Sequence, residues 1–95
     1  MDARGPLDDA VTVSFNRVLV AKLTRLGAAG NALGCTKFRV SYYRCSGFVR
    51  PPGLLYGQRI YYTLTLTGDA CWTAARTTPF PPPVGVGPLR GCAVY

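Results

Sequence analysis

The chain of 95 residues contains no histidine and no glutamate, and its four acidic side chains are Asp2, Asp8, Asp9 and Asp69. Without histidine it has no side chain whose ordinary pKa sits near neutrality. Without glutamate, a paired-carboxylate mechanism would have to join Asp8 or Asp9 to Asp69, a pairing that the spacing does nothing to support. A cysteine nucleophile would lack its usual imidazole partner. The glycine-rich stretch GAAGNALG, residues 27 to 34, lacks the Lys-Ser/Thr ending of a phosphate loop and reads as a flexible connection. We therefore expect no enzyme and no cofactor.

Other absences narrow the field further. No run approaches the roughly 18 consecutive apolar residues of a membrane helix, so no membrane span is expected. The opening MDARGPLDDA has acidic residues where a signal peptide is basic, and no apolar block follows. Neither Asn16 nor Asn31 begins an N-glycosylation acceptor, so sequons give secretion no support. The four cysteines, Cys35, Cys45, Cys71 and Cys92, contain no C-x-x-C pair of the kind structural zinc sites use, and no metal is expected.

What is present points to a packed, basic, disulfide-bearing domain. Hydrophobic residues make up 48% of the chain, with six Tyr, four Phe and one Trp, enough for one core and too little length for two. An even number of cysteines reads as two disulfides, which places the chain in an extracellular or other oxidising compartment. Eleven Lys and Arg against four acids give +7, a balance that suits anionic partners.

Residues 1 to 10 are polar, carry Gly5 and Pro6, and read as a flexible arm ahead of a single β domain spanning 11 to 95. The next segment supports two readings. VTVSF alternates as a half-buried strand does, with Val11, Val13 and Phe15 on one side. Phe15, Leu19, Leu23 and Leu26 also fall at helical spacing, with Asp9 as a cap and Gly27 as a stop. The β-branched start and Lys22 inside the helical stripe favour strand, with a bulge near Asn16 and Arg17.

Further along, Phe38, Val40 and Tyr42 should face the core of a strand over 36 to 44. GFVRPPGLLYG then forms a loop turning at Pro51, Pro52 and Gly53. RIYYTLTLT is the clearest strand, with Ile60, Tyr62, Leu64 and Leu66 on one face. Trp72 reads as a core residue beside a disulfide. Residues 77 to 91 hold a proline-rich loop, because prolines cannot donate to a ladder. Cys92 and the AVY after it suggest a short edge strand. The expected fold class is all-β, a small sandwich or barrel of about five to seven strands.

CTKFRVSYYRCSGF, from Cys35 to Phe48, interleaves bases with aromatics. If 36 to 44 is one extended strand, Cys35 and Cys45 lie roughly 30 Å apart, beyond the roughly 7 Å a disulfide allows. The bridges would then be 35 with 92 and 45 with 71, or 35 with 71 and 45 with 92, whereas a 35 with 45 bridge would require a hairpin or loop here. On the outward face this reading places Lys37, Arg39 and Tyr43, with Arg59 and Tyr61 on the next strand.

Such a face suits a binding or structural module that docks another protein or assembles with its own copies. The same residues serve a rival reading, nucleic acid or another polyanion, since single-strand platforms pair aromatics with Arg and Lys. The proline tract Phe80, Pro81, Pro82 and Pro83 prefers polyproline II, as a strap over the domain or a ligand for an aromatic groove. Loops near Pro51 and Pro81 also keep a small secreted protease inhibitor in view.

Overall fold

The computed structural model describes residues 6 to 53, 55 to 68, 70 to 77 and 87 to 93. One helix, α1 (Pro6–Arg25), precedes five strands: β1 (Ala29–Arg39), β2 (Tyr42–Arg50), β3 (Gln58–Leu66), β4 (Cys71–Arg76) and β5 (Leu89–Cys92). The strands form one antiparallel sheet in the order β1-β2-β3-β4-β5. The mostly-β fold, a strand count of five and two disulfides are thus present. The second layer over the sheet is the helix.

Residues 11 to 26, favoured above as strand, are helical. Val11, Phe15, Leu19 and Leu23, spaced by four, are all at most 1% exposed, while Val13 stands outward. A strand would have shared its burial between Val11, Val13 and Phe15. The helical stripe instead gives the sheet's inner face something to cover it, and that tertiary gain outweighs the β-branched start. Local signals agree: Asp8 and Asp9 lie in the first turn, Lys22 and Arg25 in the last, each with the sign the helix dipole favours. The helix closes in a Schellman motif, with Ala28 N donating to Leu23 O at 2.9 Å and Gly27 N to Thr24 O at 3.1 Å. Gly27 has φ +72°, which its missing Cβ permits. Pro6 to Ala10, expected in a flexible arm, form the start of this helix.

The helix touches both edge strands, β1 and β5, so the sheet curls around it and the core lies in its concave side. Two polar side chains of α1 fasten those edges. Asn16 Oδ1 accepts from Ala32 N at 2.8 Å, beside a β1 register shift between Ala32 and Gly34. Ser14 Oγ donates to Cys92 O and accepts from Trp72 Nε1, both at 3.0 Å. Ser14 is itself 5% exposed, so these bonds satisfy groups that water cannot reach. Gly47 allows close approach, since a Cβ there would stand 2.8 Å from Leu19 Cδ2.

The expected strand over 36 to 44 is a hairpin. β1 ends at Arg39, Ser41 turns with φ +66°, and β2 starts at Tyr42. Cys35 and Cys45 therefore stand opposite each other with Cα atoms 4.0 Å apart and are bonded, and Cys71 bonds Cys92 across β4 and β5 at 3.8 Å. Both long-range pairings drawn from the sequence are corrected by this turn. Likewise, Ala29 to Gly34, expected in a flexible connection, belong to β1.

Ile60, Tyr62 and Leu64 are buried and Leu66 is half-buried on one face of β3, as the alternation requires. Trp72 is buried, but its ring meets Phe15 at 5.9 Å. Alternation along β4 sends Cys71 to the opposite face. Pro51, Pro52 and Gly53 turn between β2 and β3, although Phe48 to Arg50 extend β2 rather than the loop. Among the described residues, no helix is long and apolar enough to cross a membrane.

Candidate functional site

The convex face of the sheet gathers the charge and aromatic surface. Along β2, Tyr43, Cys45, Gly47 and Val49 are buried against the helix, while Tyr42, Arg44, Phe48 and Arg50 point the other way and are exposed. Along β3, Arg59 and Tyr61 do the same. The register sets Phe48 opposite Arg59 and Ser46 opposite Tyr61, so Phe48 and Tyr61 are diagonal neighbours. β5 adds Arg90, opposite Thr73.

At the hairpin end, the Arg44 guanidinium sits 4.7 Å over the Phe38 ring, whose centroid is 6.1 Å from that of Tyr42. Phe38, Tyr42, Phe48 and Tyr61 keep between 39% and 44% of their surface exposed. The aspartates among the described residues, Asp8 and Asp9, lie in the first turn of α1 beneath the other face. The described residues of the convex face are therefore cationic or neutral, with Asp8 sharing a depression with Phe38 at the hairpin end. Arginine forks match carboxylate, phosphate or sulfate oxygens, and the interleaved rings offer flat apolar area.

Of the binding residues read from the sequence, Arg59 and Tyr61 lie on this face. Lys37 and Arg39 are exposed at the end of edge strand β1, along a depression that also includes Asp8, Thr36 and Val40. Tyr43 is corrected: it is 1% exposed and faces the helix, where its hydroxyl donates to Asp8 Oδ1. Phe38, Val40 and Tyr42, expected inward, are exposed. The turn at Val40 and Ser41, with a register shift between Lys37 and Arg39, reassigns the faces on both sides of it. Phe80, Pro81, Pro82 and Pro83 lie outside the described residues. Phe48, Arg50 and Arg90 belong to the face and escaped the sequence reading, as did the binding place of Arg44, one of the bases of the interleaved stretch. Cys35 and Cys45, placed symmetrically about Val40, were the signal that would have folded the stretch there.

No family model, curated protein or solved structure matches this chain. Function must be argued from the geometry. Among the described residues, no group of three or more His, Cys, Asp or Glu side chains could hold a metal ion, and no cysteine is free.

Two buried tyrosines behind the convex face carry a pH dependence. Burial, then the hydrogen bond and charge of Asp8, push Tyr43 up to about 12 from an ordinary 10.0. Burial does the same to Tyr62, to about 12 despite the opposing charge of Arg76, and its hydroxyl donates to Gly87 O at 3.0 Å. Well below pH 10 both phenols are protonated in the folded and unfolded chains alike, so they impose no slope there. Between pH 10 and 12 the unfolded chain loses protons that the native one keeps, and stability falls as pH rises. Urea titrations across that window should show a loss approaching two protons per molecule in slope. A flat profile would contradict the burial of these hydroxyls.

Proposed function

We propose that this chain is a non-catalytic binding module whose convex sheet face docks another protein through that partner's acidic side chains. The observation that carries the reading is the coincidence of Arg44, Arg50, Arg59 and Arg90 with Phe38, Tyr42, Phe48 and Tyr61 on one solvent-facing surface, where the described carboxylate Asp8 shares a depression with Phe38 at the hairpin end. Arginine and large aromatics are the residues that supply most binding energy at protein interfaces. Strand pairing fixes their spacing in advance, so little backbone order remains to be lost on binding. Two disulfides fit an oxidising compartment, extracellular or other, as the setting in which such a module would work.

The test is an NMR titration of the oxidised protein with a peptide that alternates Glu and Leu. Perturbed amides should concentrate on β2 and β3, and Arg44→Glu with Arg59→Glu should weaken binding at least about tenfold. Perturbations confined to α1 would sink the proposal. The rival polyanion reading is separated by an oligothymidine titration at several salt concentrations. Four phosphate contacts would give a log-log slope of about −3. Tighter binding of that strand than of the peptide at physiological salt would transfer the face to nucleic acid.

A further inference from the structure

We infer that the β2–β3 tip is a second contact surface, adjoining the convex face and sharing Arg50 and Arg59 with it, and that it seats the molecule on an anionic lipid bilayer. The tip holds two of the most exposed apolar side chains described, Leu55 at 94% and Tyr56 at 75%. It is also held in place. Pro51 and Pro52 restrict the outgoing chain. On the return, Gly57 is pressed against the Phe48 ring, where a Cβ would come within 2.4 Å of Cζ. The helix end abuts the same loop, since a Cβ on Gly27 would stand 3.8 Å from Pro52 Cγ.

Three elements that reach this tip carry a cation at that end. Arg50 ends β2 and shares a depression with Pro52 and Leu55, Arg59 lies at the start of β3, and Arg25 ends α1 two residues before Gly27. The described carboxylates, Asp8 and Asp9, are at the other end of α1, about 25 Å away along its axis. A convex apolar projection flanked by arginines is complementary to a bilayer whose headgroups are negative and whose acyl boundary is apolar. Tyrosine, apolar with one polar end, suits that boundary. The strands run toward the tip, so a molecule seated this way keeps its convex face to the side. The inference shares Arg50 and Arg59 with the protein-docking face but rests on Leu55 and Tyr56, which that reading does not use.

The experiment is co-sedimentation of the full oxidised chain with vesicles of phosphatidylcholine containing about 30 mol % phosphatidylglycerol, and with phosphatidylcholine alone. Partition onto the anionic vesicles is expected, weakened at least about fivefold on the neutral ones. Leu55→Ser with Tyr56→Ser should weaken anionic-vesicle binding by about tenfold or more. These side chains are exposed, so the variant keeps the fold, which its far-UV spectrum checks. Arg44→Glu, on the convex face away from the tip, should leave partition within about twofold of the parent. Equal partition of the tip variant and the parent overturns the inference, as does failure of the parent to bind anionic vesicles. Loss of vesicle binding in Arg44→Glu alone would also overturn it, by moving the lipid contact to the convex face.

Discussion

Phe15→Ala should remove about 3 to 5 kcal/mol of stability, a large part of the roughly 5 to 15 kcal/mol that holds a domain of this size together. Phe15 is 0% exposed, and its ring lies edge-on to Tyr62 at 5.5 Å and tilted against Trp72 at 5.9 Å. It thus joins α1 to both β3 and β4, at the middle of a core that, among the described residues, has one helix to cover the sheet. Truncation opens a cavity under two large aromatics whose positions are fixed by other bonds: Trp72 Nε1 to Ser14 and the Tyr62 hydroxyl to Gly87 O. Those anchors hinder collapse into the gap, which places the expected cost toward the upper end of the range. Equilibrium unfolding in guanidinium with both disulfides intact measures it, and the melting temperature should drop by about 15 to 30 °C. A companion substitution separates the helix from the strand reading. In the helix Val13 is 57% exposed, so Val13→Lys should change stability by no more than about 0.5 kcal/mol. In a strand Val13 would share the buried face with Phe15 and the same change would be severe. A severe Val13→Lys would overturn the helix, whatever the cost of Phe15→Ala.

How far the fold was legible depended on whether local signals and tertiary need agreed. β3 was readable because Ile60, Tyr62 and Leu64 alternate with Arg59, Tyr61 and Thr63 in a β-prone run, and nothing in the tertiary structure opposes it. At residues 11 to 26 both periods are present, and the choice between them lies in what the sheet needs over its concave side, which no window of sequence contains. The hairpin at Val40 and Ser41 was missed because neither residue is Gly, Asn, Asp or Pro, and a lone Ser is a weak turn signal. That single omission propagated. It forced long-range disulfides on geometric grounds, turned Phe38 and Tyr42 inward, and placed Tyr43 on the binding face instead of in the core. Arg59 and Tyr61 survived because they sit on the strand whose register was legible. Phe48 and Arg90 were lost from the site by assignment to loops, Arg90 to the proline-rich loop of residues 77 to 91, whose last three residues belong to β5. The chemistry of the face, bases interleaved with rings, was therefore visible before its membership was.

Full reduction should unfold the protein at physiological temperature. In the chain-entropy model, bridges closing separations of 10 and 21 residues each stabilise by about 3 kcal/mol, the longer by only about 0.6 kcal/mol more. Together they approach the whole stability typical of a small domain. The bridges differ in what they hold. Cys35–Cys45 lies on the inner face between two long strands, with Cys45 2% exposed, so Cys35→Ala with Cys45→Ala removes the constraint without burying a hydroxyl. β1 and β2 remain joined by their ladder. Cys71–Cys92 lies on the outer face, with Cys92 exposed, and β5, only four residues long, pairs with β4 alone. Cys71→Ala with Cys92→Ala should therefore loosen β5 and with it the cover over Trp72, because a Cβ at Gly91 would stand 3.0 Å from Trp72 Cζ2 and Ser14 bonds the Cys92 carbonyl. Both double variants should lose about 3 kcal/mol. Only the second should shift Trp72 emission to the red under native conditions, and it should also displace Arg90 from the convex face. Equal emission from the two variants would mean that pairing and the Ser14 bond suffice to hold β5. If the expected loss is found, the cationic face is assembled only where thiols are oxidised, and the compartment decides whether the binding surface exists at all.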